Sequence, residues 1–399
     1  MNKARIDKIQ SYIPGTCHCI TDTAQGSIAA LLPLFITQFG LNYYQVGLIM
    51  FVNTTVASVI QPIFGYLADR VRLPIFIPLG MMIAVCSIAA MTYAQSFPLL
   101  LLLSLTAGIG SALFHPEGAM LVNRYWMKNI GKEMAKFAVG GNVGFALGPL
   151  LVGGAYVWGI HFLLLYIPIG LAGSLAYYWL VQTKKEQLQT AKALPKGQDG
   201  SQLDSHSPTT GTNDWKSFGK LFFIIAGRSI NFIALNTFIP IFWIHVLHSG
   251  HQEANMALTI FYGIGAILTF YGGKFSDSLG FVKVIRWSYI LLLPTLIIFT
   301  GAELPWIAYA MMIPVAIGVF APYGPIVVLG QAYLAKNIGF SSGITLGVGV
   351  TLGGLVVPAI GGLGDAYGIQ MALYTLVPIS LLALIASFFI REPEGLKEK

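Results

Sequence analysis

The sequence predicts an all-α integral membrane protein of twelve transmembrane helices arranged as two pseudo-symmetric six-helix bundles. Three observations predict it. Hydrophobic residues make up 55% of the 399 and charged residues only 10%, against about 25% charged in an ordinary soluble domain, and the mean hydropathy is +0.72. Twelve apolar runs are each long enough to cross about 30 Å of hydrocarbon. The two halves repeat one another at a fixed offset.

The first six runs span roughly 12–39, 44–68, 74–94, 98–123, 134–157 and 160–181. The second six span 218–247, 253–276, 283–301, 305–330, 340–364 and 370–390. With twelve crossings, every Lys and Arg except Arg228, 22 of the 23, falls on one side. The positive-inside rule places that side, and both termini, in the cytoplasm, with the chain multi-pass in the inner (plasma) membrane. The net charge of +7 is thereby spread over short membrane-flanking loops, so it does not suggest nucleic acid as a partner. The lipid bilayer is the partner instead.

Residues 182–217 are the one long polar stretch, rich in Gly, Ser, Thr, Gln and Lys. They read as a cytoplasmic linker between an N-terminal bundle, 1–181, and a C-terminal bundle, 218–399. GYLAD at Gly65–Asp69 returns as GKFSD at Gly273–Asp277, and Lys128–Gly131 returns as Lys336–Gly339, both at an offset of 208. The same shift carries His115 onto Tyr323 and Glu117 onto Pro325.

His115 and Glu117 lie inside the fourth apolar run, in GIGSALFHPEG at Gly108–Gly118. A charge at membrane depth costs about 2.5–3.5 kcal/mol on insertion scales and normally marks an ion or substrate path. In the first run His18 and Asp22 stand four apart on one helix face. Cys17 and Cys19 flank His18, but residues one or two apart on a helix do not converge, so a chelate there requires unwinding. No disulfide framework is expected from the three cysteines, all in apolar surroundings. Arg228 sits in the seventh run near Asn231 and Asn236; a permanent cation there needs an anion, whether Glu117, Asp22 or a substrate. His245, His248 and His251 fall at the outer end of that run, as surface residues. The chain contains no phosphate-binding GxxxxGK[ST] loop, no HExxH and no Cys-x2-Cys set, so no enzyme, cofactor or resident metal is expected.

Gly65-Tyr-Leu-Ala-Asp69-Arg70-Val-Arg72 resembles the signature loop of major facilitator transporters, G-x-x-x-D-[RK]-x-[GR]-R. Gly65, Asp69, Arg70 and Arg72, with Gly273 and Asp277 of the second copy, are then gating candidates. FHPE at Phe114–Glu117, QPIFGYLAD at Gln61–Asp69, the His18–Asp22 pair and VGGNVGFALGPL at Val139–Leu150 resemble the fosmidomycin-resistance group of that superfamily. The resemblance implies the major facilitator fold and a monomeric exporter of a small drug-like or phosphonate-type anion by proton antiport. Glu117 and Asp22 become proton-coupling candidates; His115, His18, Arg228 and Asn142 become substrate-binding ones. The alternatives are import of a small organic anion, export of a metal or its chelate, and a sensor that kept a transporter fold.

Overall fold

The computed structural model describes residues 3–70, 75–126, 130–192, 212–337, 341 and 343–393. Within them the chain is helical, as the apolar runs require. A backbone surrounded by hydrocarbon must satisfy its own hydrogen bonds. After a short helix, Lys3–Gln10, come α1 (Ile13–Phe39), α2 (Tyr43–Arg70), α3 (Phe76–Met91), α4 (Phe97–Tyr125), α5 (Ile130–Trp158) and α6 (Tyr166–Lys192). The second set is α7 (Trp215–His245), α8 (His251–Leu279), α9 (Phe281–Thr300), α10 (Pro305–Phe320, resuming at Tyr323–Tyr333), α11 (Gly349–Tyr367) and α12 (Ile369–Tyr374 and Leu376–Phe388).

Local chemistry sets the boundaries. Gly40 closes α1 with φ +62, a left-handed conformation that costs glycine nothing. Gly159, at φ +92, separates α5 from the turn that leads into α6, the two runs that nearly merge in sequence. Asp214 caps α7 by accepting from the Ser217 backbone N–H at 2.9 Å. That hydrogen bond holds its carboxyl below the usual carboxylate range.

Among the described residues, eleven helical segments are long and apolar enough to span a membrane, and α3 is a shorter apolar helix of 16 residues. The expected run 305–330 falls within one spanning segment, Pro305–Tyr333, whose helix is interrupted at Ala321–Pro322. Pro322 offers no N–H to the helix ladder and its ring crowds the preceding turn. Pro116, at the corresponding depth of α4, leaves that helix continuous. A π-helical turn, Gly343–Val348, leads into α11. Of the expected linker, residues 193–211 lie outside the described residues, while α6 runs to Lys192.

Small residues bring the helices into backbone contact. On α5, Gly140, Gly141, Gly144 and Gly148 all face α1, where any Cβ would strike backbone or side-chain atoms. At Gly148 it would lie 2.6 Å from Ser27 N and Thr23 O. The Gly-Pro stretch of α5 is therefore a seam for close helix approach. Gly47 of α2 packs in the same way on Pro358 of α11, with 2.6 Å to Cα for a Cβ. Farther toward the end away from the termini, the Tyr43 and Tyr44 amides donate to the Asp365 carboxylate of α11, at 2.6 and 3.0 Å.

Candidate functional site

The expected membrane-depth ions converge on one carboxylate. Asp22 of α1, 3% exposed, lies 3.0 Å through Oδ2 from His18 Nε2 and 3.2 Å through Oδ1 from His115 Nε2 of α4. The i, i+4 spacing on α1 makes the first contact, and the packing of α4 on α1 makes the second. His18 is stacked on Phe137 of α5, centroids 4.1 Å apart, and meets the His115 ring edge-on at 5.0 Å.

The other nitrogen of each ring fixes the proton positions. His18 Nδ1 lies 2.8 Å from the Phe137 carbonyl oxygen and His115 Nδ1 lies 2.8 Å from the Ser111 carbonyl oxygen. A carbonyl only accepts, so both Nδ1 atoms carry hydrogen. Each Nε2 then faces a carboxylate oxygen. Lone pair against lone pair is repulsive, so each approach requires a proton on the ring or on the acid. Asp22 Oδ1 has no well-aligned hydrogen bond despite its burial. The cluster thus has places for two shared protons, and its net charge is +1 with both and zero with one.

Gly141 is what makes room. A Cβ there would lie 2.5 Å from His18 Nε2 and 2.7 Å from Asp22 Oδ2. The sequence marks this glycine as a packing residue; its contact with the ionic cluster becomes visible only when α5 is laid on α1. Asn142, next to it, is half-buried. Cys17 points away, its thiol 3.7 Å from the Gly173 carbonyl of α6, and the α1 helix is unbroken. A Cys17–His18–Cys19 chelate is therefore not formed. The donor atoms of His18, Asp22 and His115 do lie within 4.8 Å of one another. They number three, one short of a tetrahedral set, at hydrogen-bond separations.

Glu117 is also buried, 1% exposed. Two residues along α4 place it about 200° around the helix from His115. The structure groups His115 with α1 rather than with Glu117.

Arg228 of α7 stands in the other half. Its Nε donates to the Val319 carbonyl of α10 at 3.2 Å, and its guanidinium lies over Tyr323 at 4.5 Å and Phe232 at 5.4 Å. Among the described residues it has no carboxylate partner, so neither Glu117 nor Asp22 fills the role expected from sequence. Asn231 is occupied structurally, donating to the Gly227 carbonyl and accepting from Ser380. Asn236 accepts from the Tyr262 hydroxyl. Tyr262 contacts both Phe145 of α5 and Phe232, so an aromatic row leads from the N-terminal helices to Arg228. Tyr323 is the 208-residue counterpart of His115. The same pair of helices, first and fourth of each half, thus carries a proton-holding cluster on one side and a fixed cation on the other.

Of the gating candidates, Gly65, Asp69 and Arg70 fall on the last turns of α2, where the side chains lie outside the described residues, as Arg72 does entirely. Gly273 leaves open space beside α8, and Asp277 is exposed in its last turn. Asp365, which sequence reasoning missed, supplies a cross-helix carboxylate at the opposite end of the bundle. Of the three outer histidines, His251 is more than a surface residue: it stacks on Tyr156 of α5 at 4.4 Å.

Comparison with known proteins bears on this arrangement. The family model described as Major Facilitator Superfamily matches residues 15–346 and 221–399. The chain belongs to the Major Facilitator Superfamily. It is 28% identical over 398 residues to the uncharacterized MFS-type transporter YfnC of Bacillus subtilis (strain 168), covering 97% of this chain and 93% of the relative. It is 26% identical over 382 residues to the fosmidomycin resistance protein of Escherichia coli (strain K12), covering 93% and 90%. A bacterial homolog of the human lysosomal transporter Spinster, in an inward-facing and occupied conformation, shares the fold with a TM-score of 0.77 at 16% identity, covering 98% of this chain and 97% of that one. The protein is a multi-pass transporter of this superfamily, not an enzyme, and its homologues include efflux-type resistance proteins.

Proposed function

We propose that this transporter exports a small anionic, phosphonate-type compound in exchange for protons, by alternating access between the halves 1–181 and 218–399 joined through 182–217. The observation that carries the reading is the pairing of sites on equivalent helices. The His18–Asp22–His115 cluster has places for protons, and the guanidinium of Arg228, stacked on Tyr323 and Phe232, makes its hydrogen bond through Nε, leaving its terminal N–H groups for a ligand. A guanidinium fork suits the paired oxygens of a phosphonate or carboxylate. The fosmidomycin resistance protein among the relatives supports a phosphonate as the first probe.

Antiport requires proton and substrate to occupy the transporter in alternate half-cycles. The cluster takes up protons on the outer side once the anion has left and gives them up on the cytoplasmic side before the next anion binds, which links the two fluxes. One proton moving inward through 100 mV supplies about 2.3 kcal/mol, equivalent to roughly fifty-fold accumulation. Glu117, the buried carboxyl of α4, takes part in the proton path. Asn142 and the histidines contact substrate, while Gly65, Asp69, Arg70, Arg72, Gly273 and Asp277 gate the terminus-bearing end. The chain acts as a monomer in the inner membrane with both termini cytoplasmic.

The test is uptake of labelled fosmidomycin into everted vesicles energised acid inside. Export by antiport predicts accumulation that a protonophore abolishes. Accumulation only in right-side-out vesicles, or indifference to the protonophore, refutes it. One observation favours a second reading, metal export: the three donors within 4.8 Å. Stabilisation by zinc that is lost in His18→Ala, without proton-driven fosmidomycin flux, supports that reading.

A further inference from the structure

Between α5 and α8, at the end of the bundle away from the termini, lies a cavity of about 360 Å³. Its α5 wall includes Pro149, Leu150, Gly153 and Trp158, and its α8 wall includes Asn255 and Met256. The Gly153–Gly154 pair opens it. A Cβ at Gly153 would sit 3.6 Å from Asn255 Cβ, and one at Gly154 would sit 3.0 Å from the Trp158 ring. Nothing in the transport reading uses this pair.

Asn255 decides what the cavity suits. It is 2% exposed, lines the cavity, and its Nδ2 has no hydrogen-bond partner among the described residues. A buried amide donor left without an acceptor is costly. Asn255 stands four residues into α8, about 6 Å below the helix start. In a spanning helix that starts at the headgroup surface, that depth falls at the boundary between the polar interface and the hydrocarbon core, where the ester carbonyls of phospholipids lie. Trp158, at the end of α5, marks the same interface in the manner of an aromatic belt. Leu150 and Met256, both more than two-fifths exposed on the outer surface of spanning helices, give the cavity an apolar rim facing lipid.

We infer that this cavity is a phospholipid site, in which one acyl chain lies along the α5–α8 seam and its ester carbonyl accepts from Asn255 Nδ2. The glycine pair removes side chains where the chain runs, and Trp158 borders it at the headgroup level. The two walls belong to opposite halves of the repeat, so the bound lipid bridges them.

The test uses the full chain in nanodiscs of phosphatidylethanolamine and phosphatidylglycerol. Some of the phosphatidylethanolamine carries a diazirine on its acyl chain near the ester. After irradiation, adducts are mapped by peptide mass spectrometry. The site predicts adducts concentrated on 149–158 and 252–256, well above those on other lipid-facing segments at the same depth. Asn255→Leu, with the same branched four-atom side chain but without a donor, lowers them about threefold or more, the loss expected for one hydrogen bond. Gly153→Leu fills the cavity and removes them, with adducts elsewhere unchanged. Met256→Trp closes it from the α8 wall and serves where Gly153→Leu fails to fold. Labelling no greater than on other exposed helices, or unchanged adducts in a folded cavity-filling variant, overturns the proposal.

Discussion

Replacing Asp365 by Asn perturbs the end of the bundle away from the termini in a way whose size is set by the structure. The first turn of α2 has donors to satisfy. Asn42 and Gln45 exchange one pair of hydrogen bonds, Gln45 N to Asn42 Oδ1 at 2.8 Å and Asn42 N to Gln45 Oε1 at 3.1 Å. The next two donors, Tyr43 and Tyr44 N–H, go to the two oxygens of Asp365 on α11. An Asn keeps one acceptor, turns a donor toward the other amide, and removes the charge that the helix N-terminus favours. The contact is solvent-exposed, so the loss is that of an ordinary cap, about 0.5–2 kcal/mol. Because α2 keeps its own Asn42–Gln45 pair, the loss falls on the α2–α11 contact rather than on helix formation. It shifts a closed-to-open equilibrium at this end by roughly two- to thirty-fold. The assay is double electron–electron resonance between spin labels at Gln38 and Leu304, on a background lacking Cys17, Cys19 and Cys86. Asp365→Asn is expected to transfer population from the shorter to the longer distance by that factor, and Asp365→Ala to do so at least as far. An unchanged distribution in both refutes the reasoning that the Asp365 contact holds α2 against α11 at this end.

Gly141→Ala places a methyl 2.5–2.7 Å from His18 and Asp22, so proton-driven export should fall to background while Gly263→Ala, in open space, leaves it unchanged; flux in proteoliposomes reads both. Arg228→Lys keeps the charge but loses the fork and the stacking on Tyr323, and should weaken fosmidomycin binding by roughly ten-fold or more, the worth of one charge-assisted hydrogen bond, measured by calorimetry. Glu117→Gln should abolish pH-driven export in proteoliposomes while the thermal midpoint stays near that of the native chain. Asp214→Ala removes the α7 cap and should cost about 0.5–2 kcal/mol at neutral pH. Its carboxyl is lowered in the folded state, so this stabilisation is fully present above the unfolded value of about 3.9 and disappears as pH falls through the folded value; melting curves of both proteins across acid pH should converge.

Much of this was legible because membrane depth makes charges conspicuous. Asp22, His18, His115 and Arg228 stand out in apolar runs, and His18 and Asp22 are four apart, so their contact follows from helix geometry alone. The partner of His115 did not follow. Glu117 is adjacent in sequence yet faces another way, whereas Asp22 comes from a helix about ninety residues earlier. The cap at Asp365 was hidden for a related reason: a carboxylate near a helix end reads as local, and only tertiary packing shows that it caps α2. Gly141 was visible as a small residue, but its function depends on which side chains of α1 it faces. The break in α10 carried a signal, Pro322, but Pro116 sits in an intact helix, so proline alone does not decide where a spanning helix parts.

The central claim is that Asp22, held between two histidines, carries the proton that is exchanged for substrate. The most direct measurement is proton movement itself, followed with a pH-sensitive dye trapped in proteoliposomes while a fosmidomycin gradient is imposed. The native chain should move protons against the substrate gradient, and Asp22→Asn should give none while still binding fosmidomycin. Substrate-driven proton movement in Asp22→Asn at the native rate would contradict the account.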